Sequence, residues 1–84
     1  MSGARFERLN AAVSAERERT IGFYQGLLFS ARGNRTWTKS EDRELIGEAT
    51  RRVSAADTLL LFMADYHKVE YQPMEPESIA QLFI

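Results

Sequence analysis

The sequence predicts an all-α fold: an antiparallel two-helix hairpin with a short C-terminal helix, dimerising into a helical bundle. Three observations carry that expectation. Apolar residues recur at helical spacing through two long stretches that no proline interrupts. A Gly33-Asn34 pair separates those stretches, which is helix-ending chemistry. Both prolines, Pro73 and Pro76, fall after them and mark off a third, short segment.

The first helix is expected over residues 3–32. Phe6, Leu9 and Val13, then Ile21, Tyr24 and Leu28, follow helical spacing. Between them, Ser14 to Thr20 is mostly polar, and Glu16, Arg17, Glu18 and Arg19 alternate in sign. Such a stretch holds itself helical by local charge pairs but adds little core. Gly33 is the usual residue just past a helix end, and Asn34 is the next best at positive φ. Arg32 and Arg35 suit the negative end of the helix dipole. A turn this short makes the two helices antiparallel neighbours.

The second helix is expected over residues 38–71. Thr38-Lys39-Ser40-Glu41 reads as a capping box, with Thr38 as N-cap and Glu41 reaching back. Ile46, Ala49, Val53, Ala56, Leu60, Met63 and His67 then step by threes and fours, a coiled-coil-like seam. A second stripe, Leu59, Phe62, Tyr66 and Val69, joins it further on. The third helix is expected over residues 76–84. Pro76 lies in its first turn, Glu75 or Met74 just outside, and Ile79, Leu82, Phe83 and Ile84 form its apolar side.

Eighty-four residues make a single helical domain, 1–84, near the size where one core barely offsets the entropy of ordering the chain. With no Cys and one His, disulfides, zinc-thiolate sites and a His cage are excluded as reinforcement. A partner or a second copy is the remaining route. The longest purely apolar run, Leu59–Ala64, falls far short of the roughly 20 residues of a membrane helix. No signal-peptide pattern opens the chain. A cytoplasmic protein with no membrane contact is therefore expected. Residues 1–39 hold seven basic against three acidic residues, a net of +4, and residues 40–84 hold four against nine, a net of −5. That asymmetry favours pairing of one half with the other, within the chain or between copies.

Gly22 and Gly26, followed by Ser30, put small residues at i, i+4 and i+8. Two mid-helix glycines cost roughly 1 kcal/mol each relative to alanine. Close approach of another helix would offset that, either helix two around Gly47, Ala49 or Ala56, or a partner. Arg32, Arg35, Trp37 and Lys39 cluster at the hairpin tip and form a weaker candidate for contact with an anion or nucleic acid. Trp37 followed by Glu41-Asp42 and the Leu45-Ile46 dyad resembles the opening of a Myb/SANT repeat over about ten residues. The pattern then departs: where that family presents a basic recognition helix, Ser54-Ala55-Ala56-Asp57-Thr58-Leu59 runs acidic to apolar. The reading retained is a capped helix start with Trp37 over the end of the hairpin.

His67 has no nucleophile elbow to serve, and with Glu70 it reverses the Glu-x-x-His order of di-iron bundles. No phosphate loop, dinucleotide fingerprint or catalytic carboxylate pair is present. No catalytic residue, metal ligand or cofactor is therefore assigned. The expected function is a non-enzymatic protein-binding module, such as an adaptor, assembly chaperone or inhibitor, that forms a homodimer or higher homo-oligomer. Its partner or oligomer interface is expected at Gly22, Gly26, Leu59, Phe62, Met63, Tyr66, Ile79, Leu82 and Phe83. The C-terminal segment with Ile79, Leu82 and Phe83 has two readings, a docking helix for a partner's groove or, the one favoured, a lid over Leu59, Phe62 and Tyr66. Two alternatives remain open: nucleic-acid binding by the basic face of helix one or the tip, and a small anionic ligand at an oligomer interface.

Overall fold

The structure is a computed structural model that describes residues 2–84, with side chains from Arg5 onward. Three helices follow in order: α1, Ser2–Arg32; α2, Lys39–Tyr66; and α3, Pro76–Gln81. Among the described residues there is no strand. α1 and α2 form the antiparallel hairpin, and α3 packs against α2. The result is a rod of 54 × 19 × 13 Å.

The start of α2 forms as its residues dictate. The Glu41 N–H donates to Thr38 Oγ1 at 3.1 Å, and Glu41 Oε1 accepts from the Thr38 N–H at 3.1 Å. Two otherwise orphaned backbone donors are satisfied reciprocally. The end of α1 differs from expectation. Among the described residues no glycine has positive φ. Instead the last turn tightens: the N–H groups of Gly33 and Asn34 donate to the carbonyls of Ser30 and Ala31. Asn34 Oδ1 then accepts from the Thr36 N–H and hydroxyl, and so shapes the turn through its side chain.

α2 ends at Tyr66, five residues before the expected Tyr71. Lys68 takes the left-handed conformation, with φ of 59°. Its N–H donates to the Asp65 carbonyl at 3.2 Å, and the Val69 N–H donates to the Ala64 carbonyl at 2.8 Å. This is a Schellman turn built without glycine. Local helical preference is overridden because the turn sends the chain back along the hairpin, where two large apolar side chains find burial. A non-glycine residue at that φ carries about 1 kcal/mol of strain. Lys68→Gly should therefore raise stability by about 0.5–1 kcal/mol, read as a higher urea midpoint at unchanged slope.

The returning segment settles the core. Ile79 and Phe83 join Ile21, Tyr24, Leu28, Ala49 and Val53 in one buried cluster near the tip half of the hairpin, with Leu45, Ile46 and Leu82 packed against it. α3 thus does not form the expected lid over Leu59, Phe62 and Tyr66, which stay exposed. The reason is the face the segment takes: residues 68–75 run along the side of the hairpin where Tyr71 meets Asp57 and Met74 meets Arg17, opposite Leu59, Phe62 and Tyr66, and carry α3 toward the tip. There, Arg32 Nη2 donates to the Phe83 carbonyl at 2.7 Å, and Gln25 Nε2 donates to the Leu82 carbonyl at 2.9 Å.

The buried seam of α2 is Ala49, Val53, Asp57, Leu60 and Ala64. Of the predicted seam, Ala49, Val53 and Leu60 are buried, while Ile46, Ala56, Met63 and His67 are only half-buried. Asp57 lies outside the predicted seam, next to Ala56, and is 2% exposed. Its Oδ1 accepts from Arg17 Nε at 2.8 Å and from the Tyr71 hydroxyl at 2.8 Å. One carboxylate oxygen so ties α1, α2 and the returning segment together. Burial, and after it the bond to Asp57, pushes the Tyr71 hydroxyl up to about 12. The polar middle of α1 therefore does contribute to the interior, through Arg17.

Candidate functional site

The two broad faces of the hairpin are treated differently. Residues 67–84 lie along one. On the other, side chains at helical spacing on α1 (Leu9, Ala12, Glu16, Thr20, Phe23, Leu27) share a face with Ala55, Leu59, Phe62 and Tyr66 of α2, with Ala12 to Thr20 beside Ala55 and Leu59, and Phe23 beside Arg52 nearer the tip. A groove between the helices is walled by Ala12, Val13 and Thr20 on one side and by Ala55, Ala56 and Leu59 on the other. It carries a charged belt of Glu16, Arg19 and Arg52 and continues past Thr20 to Phe23. The rims are apolar and wet: Leu9, Leu27 and Leu59 are 45, 40 and 48% exposed, and Phe23, Phe62 and Tyr66 are 62, 70 and 77%. Scattered exposed apolar residues are ordinary, but six leucine and aromatic side chains gathered on one face, on either side of a charged belt, are not.

The belt is internally paired. Arg19 Nη2 donates to Glu16 Oε2 at 2.8 Å, and this holds the Glu16 carboxyl below its ordinary range. On the neighbouring turn, the Tyr24 hydroxyl donates to Glu48 Oε2 at 2.6 Å, which raises the Tyr24 pKa.

Of the residues expected at an interface, Leu59, Phe62 and Tyr66 share this open face, with Met63 half-buried at its edge. Ile79 and Phe83 are taken up by the chain's own core, and Leu82 is half-buried beside it. Gly22 and Gly26 are exposed on α1, and no atom of the described residues beyond their own helix turns would lie within 4 Å of a Cβ added at either. The close approach to helix two expected for these glycines does not occur, because the contact line of α1 runs through Ile21, Tyr24 and Leu28 instead.

The hairpin tip is committed to structure. Arg32 holds Asp42 through Nε at 2.8 Å and Nη2 at 3.0 Å, and Trp37 Nε1 donates to the same carboxylate at 2.9 Å. The Arg32 bond, and after it the Trp37 bond, lowers Asp42 to about 2. Only Arg35 and Lys39 of the expected anion cluster remain exposed without such a bond among the described residues. Because folding depresses the Asp42 pKa, the pair adds stability above the ordinary carboxylate range and loses it as the pH falls from about 4 toward 2. Asp42→Asn should flatten the wild-type melting curve against pH across that window and leave the rest of the profile alone.

His67 packs between rings, with centroids 5.3 Å from Phe6 and 5.1 Å from Tyr66. Among the described residues no group of three His, Cys, Asp or Glu side chains could hold a metal ion, and no helix is long and apolar enough to cross a membrane. The α1 half of the open face lies outside the stripes predicted above, yet the sequence carries a signal for it: Leu9, Ala12, Glu16, Thr20, Phe23 and Leu27 step by threes and fours beside the inner stripe. Comparison with protein families, curated proteins and solved structures gives no match to this chain.

Proposed function

We propose that the protein is a non-enzymatic protein-binding module whose working surface is the open face of the hairpin. One observation carries this reading. A band of leucine and aromatic side chains from both helices stays in water while the chain's own third helix is spent on the opposite face. Apolar surface left wet in this way favours association with a complementary helical face. The adaptor, assembly-chaperone and inhibitor readings are versions of the same physical act, occupation of another protein's surface.

The test is capture on immobilised protein, followed by titration of each captured protein, purified, against wild type and Phe62→Glu. Phe62 is 70% exposed in the chain, so the variant should keep its helical spectrum. Its affinity for a genuine partner should fall at least tenfold, on the order of the loss for a buried interface aromatic. Equal binding by both proteins would remove this face from the function.

A further inference from the structure

We propose that the open face is covered by the same face of a second copy, two hairpins stacking into an antiparallel four-helix bundle with α1 against α1. This rests on the reading of that face as a protein-binding surface and names its occupant.

Width and area argue for a hairpin as the occupant. The band spans both helices and runs from Leu9 to Leu27, about 27 Å at 1.5 Å per residue. At about 200 Å² for a whole aromatic side chain, the exposed fractions of Phe23, Phe62 and Tyr66 leave roughly 400 Å² of ring surface. Leu9, Leu27 and Leu59 bring the apolar area to roughly 600 Å² per copy, close to the ~800 Å² that each partner gives a standard-sized interface. A single docking helix would leave one rim wet.

Charge and size select the register. The groove's charges are Glu16, Arg17 and Arg19 on α1 and Arg52 on α2; Arg17 is turned inward onto Asp57, which leaves Glu16 and Arg19 as the outward charges at the centre of the α1 band. A twofold axis perpendicular to α1, midway between them, sets Glu16 opposite Arg19 of the second copy and Arg19 opposite its Glu16. The two ion pairs, each already closed within a copy at 2.8 Å, then merge into a ring of four alternating charges. The same axis sets Phe23 over Ala12 of the second copy, a large side chain over a small one, at both ends of the contact. Centring the axis on residue 16 or residue 19 instead sets like charge against like, and parallel helices do the same.

The chain has no cysteine, so crosslinking is free of background. Ala12 and Phe23 lie about 16 Å apart along one helix, well beyond the ~7 Å Cα separation a disulfide tolerates. The variant Ala12→Cys/Phe23→Cys should therefore form on mild oxidation only a disulfide between copies. By light scattering, wild type should weigh twice 9.6 kDa at tens of micromolar. Glu16→Arg should return it to monomer with its helical spectrum intact, and Glu16→Arg/Arg19→Glu should restore the dimer. A dimer that ignores Glu16→Arg and yields no crosslink overturns this interface. A wild-type monomer at every concentration overturns self-association. If binding to another protein is then still lost in Phe62→Glu, the protein-binding reading stands without this occupant. If no such binding exists either, both fall.

Discussion

Leu60→Asp should leave the chain unfolded. Leu60 is 2% exposed on the inner seam of α2, between Asp57 and Ala64. Losing a buried leucine costs about 2–5 kcal/mol. An aspartate there is worse, because its charge enters the interior without a partner and still costs several kcal/mol after relaxation. A chain of 84 residues has about 4–12 kcal/mol of stability in all. The far-UV circular dichroism of the variant should therefore lack the wild-type helical signal and its cooperative melt. Phe62→Asp, two positions on and 70% exposed, makes the same change in charge and should keep both. A folded Leu60→Asp would mean that the α2 seam lies elsewhere.

Arg17→Met should cost about 3–5 kcal/mol, because it strands the Asp57 carboxylate in the interior. The side chains of Arg17 and Asp57 are 14% and 3% exposed, and their bond is 2.8 Å long. With Arg17 gone, Tyr71 is the one bonded group left on Asp57 Oδ1, while Oδ2 is buried and already has no partner among the described residues. Removing both charges is a different matter. Arg17→Met/Asp57→Leu should recover most of the loss, since a well-packed apolar pair is often as stable as the buried ion pair it replaces. Urea titrations of the two single variants and the double variant complete the cycle. An Arg17→Met protein as stable as wild type would show that Asp57 reaches water and does not tie the three segments together.

Much of the architecture could be read in the residues. The Thr38–Glu41 capping box, the short turn after Arg32, Pro76 at the start of α3, and Ala49, Val53 and Leu60 as inner positions all follow from local rules. The end of α2 did not. Tyr66 and Val69 continue a helical stripe, and nothing local in Lys68 announces a left-handed turn. Asp57 is not legible as an inner residue, because a lone carboxylate beside an apolar repeat reads as outward-facing until its partners are known. Those partners are 40 and 14 residues away in sequence. The open face is half legible: Leu59, Phe62 and Tyr66 stand out as a second stripe, while Leu9 reads with the inner stripe of Phe6 and Val13, and Phe23 and Leu27 fall in neither predicted stripe.

By itself, then, the sequence determined the local order: two long helices, the capped start of the second, the antiparallel turn, and the presence of more apolar stripes than one hairpin contact can cover. These follow from spacing, capping chemistry and loop length, which act over a few residues. Only the tertiary structure decided which stripes lie inside. Leu60 and Phe62 are equally willing to leave water, and hydrophobicity cannot rank them. What ranks them is the path of residues 67–84, which places Ile79 and Phe83 on one face of the hairpin, ties it there through Tyr71, Asp57 and Arg17, and leaves the other face open.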